Sequence, residues 1–277
     1  MTSATETRTD AASPRPATGW EPEVPSSDTV LRAYVENYAA ELASYAASRG
    51  GRVLRTDRYL LADHGSPAAI FNAAVLLRPA YDFRSVAAEV ADSFAPEGGG
   101  SVFLWSPWPT PPMEDDGWRL GGHPTFAVRP PGGTLPEAPH IRVERVTDAA
   151  GLAKWERVAV DGFPFEDLQP YRNGSLVGEA LLDDPSAALW VAYDGDLPAA
   201  VAALHVEHGV AGFALGATLP ESRRRGLWYA LVRVRLLERP DLPAASVFSS
   251  DSRPGAERIG FLPISRWTLW DRPRGSR

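Results

Sequence analysis

A run of charged and small residues in the second half of the chain has the composition of an anion-binding site. Three consecutive arginines, at positions 223–225, are followed by Gly226 and then by an apolar segment with helical spacing. The first turn of a helix carries amide groups without intrahelical acceptors and lies at the positive end of the helix dipole. Glycine allows close backbone approach there, and arginine adds charge-assisted hydrogen bonds. The pattern predicts a phosphate-binding helix start.

The elements on either side of this run must position it. Residues 210–218 form an apolar run typical of a buried strand, and a Pro-Glu turn follows it. Apolar residues then recur at helical spacing, which predicts a helix from about Ser222 to Glu238 that ends before Pro240. Strand, turn and helix together form a predicted cradle for a pyrophosphate group.

The sequence resembles the GNAT family of acyl-CoA-dependent N-acyltransferases at two places. The family's Gln/Arg-x-x-Gly-x-Gly/Ala motif is similar to Arg223-Arg224-Arg225-Gly226-Leu227-Trp228, except that Trp228 stands where the family has glycine or alanine. The family's Glu-Arg-Leu-Gly-Phe ending is similar to Glu257-Arg258-Ile259-Gly260-Phe261, followed by a predicted strand at 264–270. The resemblance implies an α/β fold with a mixed, mostly antiparallel central sheet flanked by helices.

The resemblance also implies an activity, namely transfer of an acetyl or other small acyl group from acyl-CoA to an amine. Acetyl-CoA or a related acyl-CoA would be the co-substrate, and a small-molecule amine would attack its thioester directly in a ternary complex. In the family, the fourth and fifth strands splay apart around the pantetheine arm. The residues that this places on the cofactor are Gly216, Ala217 and Thr218 for the arm, and Arg223, Arg224, Arg225, Gly226, Leu227 and Trp228 for the pyrophosphate.

The catalytic acid and base are not found at the family's positions. The predicted strand 210–218 has no carboxylate, and Ala256 stands where the family often has a tyrosine. The nearest candidates are Ser250 and Asp251 after the fifth strand, Glu207 and His208 before the fourth, and His123 in the first half. For Asp251, capping of the helix after Ser252 is the preferred interpretation. An amine that arrives neutral, an unusual base, or a lost activity are all compatible with this pattern.

Composition changes divide the chain into four predicted regions. Residues 1–27 have the composition of a disordered tail, residues 28–128 resemble a degenerate GNAT-like half without the arginine-glycine motif, residues 129–139 are a Pro/Gly-rich linker, and residues 140–273 contain the complete GNAT-like element order. The first half is predicted to begin with a helix from Leu31 that Asp28 caps, and to end in a strand or hairpin at 118–128. Thr147 is predicted to cap the first helix of the second half.

Composition also excludes several kinds of site. The 277 residues include no cysteine, which excludes disulfides, thiolate nucleophiles and zinc–thiolate centres, and no His/Asp/Glu cluster has metal-ligand spacing. Without a signal peptide or a run of about 20 apolar residues, a cytoplasmic protein without a membrane partner is expected. The net charge of −7 disfavours nucleic acid as a partner.

Three alternatives for the function and assembly stay open. Trp228 leaves room for a different acyl carrier, such as an aminoacyl-tRNA or a carrier-protein thioester. The missing acid and base leave room for a non-catalytic ligand-binding protein. The resemblance also allows a homodimer, since dimers are common in the family.

Overall fold

The computed structural model describes residues 29–94, 100–135, 137, 140–163 and 165–274. The predicted tail at 1–27 lies outside the described residues, as does part of the predicted linker at 129–139. Within the described ranges, no helix is both long and apolar enough to cross a bilayer.

Five helices and thirteen strands, joined by short 3-10 turns, follow one another along the described chain. The first part contains α1 (Val30–Ser48), β1 (Arg52–Arg55), β2 (Tyr59–Asp63), β3 (Asn72–Leu76), α2 (Phe83–Ser93), β4 (Ser101–Ser106), β5 (Arg119–Gly122) and β6 (Thr125–Arg129). The second part contains β7 (Val143–Arg145), α3 (Ala149–Gly162), β8 (Ala187–Asp194), β9 (Leu197–Glu207), β10 (Val210–Thr218), α4 (Leu227–Glu238), β11 (Ala244–Phe248), α5 (Arg253–Arg258), β12 (Leu262–Arg266) and β13 (Thr268–Pro273).

The strands form two sheets that exchange one strand each. The first sheet has the order β1-β2-β3-β4-β13-β5, and the second has the order β12-β6-β11-β10-β9-β8-β7. Most neighbours are antiparallel, and the parallel pairs are β3–β4 and β10–β11. The predicted mixed, mostly antiparallel α/β fold with two similar halves is therefore confirmed. The domain bounds remain a prediction, but β6 and β13 each lie in the sheet of the other half.

Two strand predictions are corrected by this exchange. The segment 118–128 is neither one strand nor a hairpin, because β5 pairs with β13 whereas β6 pairs with β11 and β12. The segment 264–270 is divided between β12 in the second sheet and β13 in the first, with Trp267 fully buried between them. An apolar pattern indicates that a segment is a strand but does not identify the strand's partner.

Both predicted helix caps are displaced by one residue. Thr29, rather than Asp28, caps α1, since its hydroxyl accepts a hydrogen bond from the amide three residues later at 3.2 Å. Asp148, rather than Thr147, caps α3 in the same way at 2.7 Å. In each case the cap residue is in an extended conformation. Its side-chain oxygen can therefore accept a hydrogen bond from the amide three positions later.

Helix α1 connects the two sheets. Its Tyr34 stacks on Phe126 of the second sheet with ring centroids 5.1 Å apart, and the same apolar cluster includes Val75 of the first sheet. The Asn37 side-chain amide donates to the carbonyls of His205 at 3.0 Å and Val210 at 3.3 Å, at the turn between β9 and β10. The first half is thereby fixed against the strand that leads to the arginine run.

Glu41 is a buried carboxyl group on the inner face of α1. Only 3% of the residue is exposed, and the hydroxyl of Tyr45 is its hydrogen-bond partner. Burial raises the pKa of Glu41 from 4.5 to about 8, because the ionised form loses hydration that Tyr45 only partly replaces. The folded state therefore holds a proton that the unfolded state releases at lower pH.

This shift predicts a pH-dependent stability that Glu41→Gln removes. A carboxyl pKa that is raised on folding adds stability in full below pH 4.5, and this stability is lost as the pH rises through about 8. The unfolding free energy of the wild type, relative to Glu41→Gln, should therefore fall across this interval. Urea unfolding at a series of pH values measures it, with exposed Glu179→Gln as the control. Parallel pH profiles for wild type and Glu41→Gln would contradict the prediction.

Candidate functional site

Strands β10 and β11 separate shortly after they begin to pair. Their parallel ladder includes only Ala211 with Ala244 and Gly212 with Ala245. The next carbonyl of β10, at Phe213, accepts a hydrogen bond from the Ser246 hydroxyl at 2.7 Å instead of continuing the ladder. A gap therefore opens between the two strands beyond Gly212, as the resemblance implies.

Strand β10 is bulged beside this gap. Its register against β9 shifts between Ala214 and Ala217, and Leu215 has a positive φ of 45°. The bulge turns backbone groups of β10 out of the ladder, because one extra residue of β10 has no partner on β9. The residues predicted to hold a pantetheine arm, Gly216, Ala217 and Thr218, begin at this bulge.

Side chains from the helices on either face bind to β9 opposite the bulge. The indole of Trp155 on α3 donates to the Ala202 carbonyl at 3.1 Å, and the guanidinium of Arg235 on α4 donates to the Ala203 carbonyl at 3.2 Å. Arg235 also lies over the ring of Phe213, 4.1 Å from its centroid. Burial lowers the pKa of Arg235 to about 9. The arginine was not among the predicted site residues, although its position within an apolar helix was a usable signal.

The turn after β10 leads to a helix end without a cap. Residues 220–222 form a 3-10 turn, and Arg224 and Gly226 both have positive φ, of 63° and 85°. Helix α4 therefore begins at Leu227, five residues later than predicted, and its first hydrogen bond runs from the Ala230 amide to the Gly226 carbonyl at 3.0 Å. No side chain caps this end. The amides of the first turn are thus free of intrahelical acceptors, which is the geometry of an anion site.

Asp194, at the β8–β9 turn, holds part of the arginine run. Its carboxylate accepts a hydrogen bond from the Ser222 hydroxyl at 2.9 Å and forms an ion pair with Arg225 at 2.8 Å. One of the three arginine charges is therefore already balanced by the protein. The sequence marked Asp194 as a turn residue, but its ionic partner lies too far along the chain for pattern analysis to find.

The other two arginines are exposed beside the helix end. Arg223 donates from Nε to the Thr218 carbonyl at 3.2 Å, which ties the turn to the end of β10. Arg224 forms no ion pair within the part of the chain that the structure describes. Their two positive charges therefore remain available to a ligand of opposite charge.

Trp228 lies between β10 and α5, next to the same helix end. It is half-buried and packs against the apolar cluster under α4. A Cβ atom added at Gly255 would lie 3.1 Å from Cζ3 of the indole, and one added at Gly216 would lie 3.9 Å from its Nε1. The ring thus occupies the space between the bulge and α5.

The corresponding helix of the first half does not offer an anion site. Asp82 caps α2 and accepts a hydrogen bond from the Ser85 amide at 3.1 Å. A carboxylate at a helix N-terminus satisfies the amide and repels a phosphate. Helix α2 therefore lacks the uncapped first turn that α4 presents.

The two acid–base candidates after the fifth strand lie on the surface. Ser250 and Asp251 are both exposed in the turn between β11 and α5. Asp251 does not cap α5 either: the residue before that helix is Ser252, and no side chain makes a cap hydrogen bond. The tyrosine position of the family is occupied by buried Ala256 on α5.

The remaining acid–base candidates lie away from the bulge. Glu207 accepts a hydrogen bond from the Ser186 hydroxyl at 3.2 Å and lies 3.7 Å from Nε2 of exposed His208. With a rise of about 3.3 Å per residue, the turn that holds both residues is roughly 20 Å from Gly216 along β10. His123 is exposed in the loop between β5 and β6. The structure does not bring these groups together.

A buried carboxylate fixes the segment that follows α3. Glu156 accepts hydrogen bonds from the amides of Gly174, Leu176 and Val177 at 2.6, 2.8 and 2.9 Å, and from the Tyr171 hydroxyl at 3.0 Å. Beside Glu156, burial and the carboxylate hold the pKa of Tyr171 well above its usual range. Glu156 was not among the predicted site residues, since a lone glutamate in an amphipathic helix is usually exposed.

This segment lies on the α3 side of the bulge. Phe163 and Phe165, which begin it, pack into the same apolar cluster as Leu215 and Leu219. The last residue of α3, Gly162, approaches β10 so closely that an added Cβ would lie 3.0 Å from that of Ala217. The segment held by Glu156 therefore forms the wall of the bulge opposite α4.

Comparison with known proteins gives a fold but no relative of similar sequence. Neither a protein-family model nor a curated protein matches the sequence. Among solved structures, a GCN5-related N-acetyltransferase from Kribbella flavida aligns with a TM-score of 0.61 at 19% identity, over 87% of this chain and 96% of that one.

Two further structures align over similar lengths. A functionally unknown conserved protein from Staphylococcus epidermidis aligns with a TM-score of 0.58 at 11% identity, over 82% of this chain and 95% of that one. A GCN5-related N-acetyltransferase-like protein from Streptococcus suis aligns with a TM-score of 0.50 at 14% identity, over 87% and 100%. Together with the bulged β10, its separation from β11 and the two similar sheets, these alignments show that the chain has the GNAT fold in a tandem arrangement.

Proposed function

We propose that the second half is an N-acyltransferase that takes a small acyl group from acyl-CoA and transfers it to the amine of a small molecule. The carrying observation is the junction of three features: a gap between β10 and β11, a bulge beside it, and an uncapped helix that begins directly after it. Each alone is common. In series they provide a path for an extended arm that ends at an anion site.

The residues present fit the phosphates of CoA at the helix end. Gly226 has a positive φ and no side chain, so the first-turn amides of α4 are accessible to a phosphate oxygen. Arg223 and Arg224 supply exposed positive charge, and Asp194 holds Arg225 in place. Trp228 fits less well, because its ring occupies space beside the bulge.

The contribution of this chain to the reaction is mainly positioning. Acyl-CoA supplies the activated thioester; the acceptor nitrogen forms the new bond to the acyl carbon, the carbon–sulfur bond breaks, and the amine proton balances the released thiolate. Backbone amides at the bulge, near Gly216, would hold the arm and polarise the carbonyl. Holding two reactants in register accounts for much of the rate in such a reaction. The segment fixed by Glu156 would form the acceptor side.

Titration calorimetry with acetyl-CoA and with desulfo-CoA tests the binding part of the proposal. One-to-one binding that weakens by about tenfold or more in an Arg223→Ala/Arg224→Ala variant is expected, since each exposed arginine contributes a charge-assisted contact. Arg52→Ala/Arg119→Ala, at two exposed positions of the first sheet, is the matched control because it also removes two positive charges. Equal affinities for wild type and the double variant would contradict phosphate binding at this helix end.

A non-catalytic ligand-binding function is the second candidate. Two observations favour it: β10 carries no carboxylate, and Ala256 stands at the tyrosine position. Thiol release from acetyl-CoA, measured with a panel of polyamines, amino acids and aminoglycosides, separates the two functions. Release that depends on any amine rejects the non-catalytic function.

A further inference from the structure

The ring of Trp228 lies between two glycines on different elements. Gly255 lies within α5, where glycine costs roughly 0.5–1 kcal/mol relative to alanine. An alanine methyl there would meet Cζ3 and Cη2 of the indole at 3.1 and 3.3 Å, closer than a relaxed packing allows. On the other side, a Cβ atom added at Gly216 would lie 3.9 Å from Nε1, an ordinary van der Waals distance, so the ring borders the bulge at this residue. The indole is thus seated in a slot between α5 and the bulge.

The same slot lies on the path of an arm that would join the helix end to the gap. Trp228 is the second residue of α4, directly beside the amides proposed to hold phosphate. Gly216 is an exposed residue of the bulge proposed to hold the arm. An extended arm that connects these two places would pass the position that the ring now fills. The ring and the arm therefore compete for one volume.

The slot does not enclose the ring completely. Trp228 packs against the apolar cluster that includes Leu227 and Leu231, yet part of the residue remains exposed. Rotation of a fully enclosed tryptophan would leave a cavity in the core. A partly exposed tryptophan can rotate into solvent, at the cost of its buried apolar area. The geometry therefore permits an open position.

Resting on the proposed acyl-CoA function, we propose that Trp228 is a gate: it closes the arm channel in the unliganded protein, and acyl-CoA binds only after the indole leaves the slot between Gly216 and Gly255. A protein that must first open binds with an affinity reduced by the fraction of open molecules. Removal of the ring should therefore tighten binding, which is the opposite of what removal of a contact surface would do.

The test compares dissociation constants for desulfo-CoA, by calorimetry, in wild type, Trp228→Ala and Gly255→Ala. Trp228→Ala empties the slot, and Gly255→Ala displaces the ring while keeping the tryptophan. Both are expected to bind about tenfold tighter than wild type, the reduction expected if about one molecule in ten is open. Leu237→Ala, on the exposed face of the same helix, is the matched control and should bind as wild type does. Thermal unfolding checks that each variant is folded. If Trp228→Ala does not fold, the affinity of Gly255→Ala decides the test.

Each outcome separates the gate from the proposed function. Tighter binding in the variants, with weak or no binding in wild type, supports the gate. Equal or weaker binding in the variants, with clear binding in wild type, overturns the gate and leaves the proposed function standing. Absence of binding in every folded variant overturns both, because Trp228 would then not be what excludes CoA.

Discussion

Replacement of Gly226 by glutamate is expected to abolish binding of CoA compounds, with a dissociation constant raised about a hundredfold or more. Gly226 has a φ of 85°, a conformation that costs a residue with a side chain roughly 1–2 kcal/mol. The added carboxylate would also lie at the uncapped end of α4, where it satisfies the amides and repels phosphate as Asp82 does in the first half. Strain and charge therefore act in the same direction.

Two control variants separate these effects. Gly226→Ala introduces the strain without the charge and should lose less affinity than Gly226→Glu. Gly50→Glu places the same charge at another glycine of positive φ, 71°, with no atom within 4 Å of an added Cβ, and should bind as wild type does. Calorimetry with desulfo-CoA measures all three. Retained affinity in Gly226→Glu would rule out this helix end as the phosphate site.

Replacement of Glu156 by alanine is expected to destabilise the protein by about 3 kcal/mol or more. The carboxylate accepts four hydrogen bonds, three of them from backbone amides of residues 174–177. A buried donor left without an acceptor costs roughly 1–3 kcal/mol, and Leu176 and Val177 are fully buried. Urea unfolding measures the loss.

The local effect of Glu156→Ala should exceed the global one. Without its acceptor, the segment 171–177 should become accessible to proteases before the rest of the chain unfolds. Glu156→Gln keeps one acceptor oxygen and should lie between wild type and alanine, while exposed Glu179→Ala should leave both stability and cleavage unchanged. Cleavage rates of Glu156→Ala that match wild type would show that other contacts hold the segment.

The proposed anion site could be located from the sequence because its signals are local. An apolar strand, a turn, arginines and a glycine before a helix all lie within twenty residues, and helix ends depend mainly on nearby residues. The exact start of α4 was missed because Arg224 takes a positive φ, which non-glycine residues seldom adopt. The sequence showed that Trp228 replaces the small residue of the motif. It did not show that the ring packs against Gly255, since that glycine belongs to another element.

The remaining site features depend on contacts between distant segments. Asp194 meets Arg225 across 31 positions, and Glu156 holds amides up to 21 positions away. The exchange of β6 and β13 also depends on distant segments. The residue pattern of each strand fits either sheet, so the pattern alone does not identify the sheet. Tertiary pairing decides which sheet such a strand joins, and local sequence patterns do not show that pairing.

The exchanged strands determine when each sheet can be completed during synthesis. The first sheet needs β13, whose Trp270 donates a hydrogen bond to Thr110, a partner 160 residues earlier in the chain. Until β13 leaves the ribosome, β4 presents an unpaired edge, and unpaired edges are sites of aggregation. In many two-domain proteins the N-terminal domain folds first and alone, but the first half of this chain cannot complete its sheet in that way. Its two halves must reach their native sheets together.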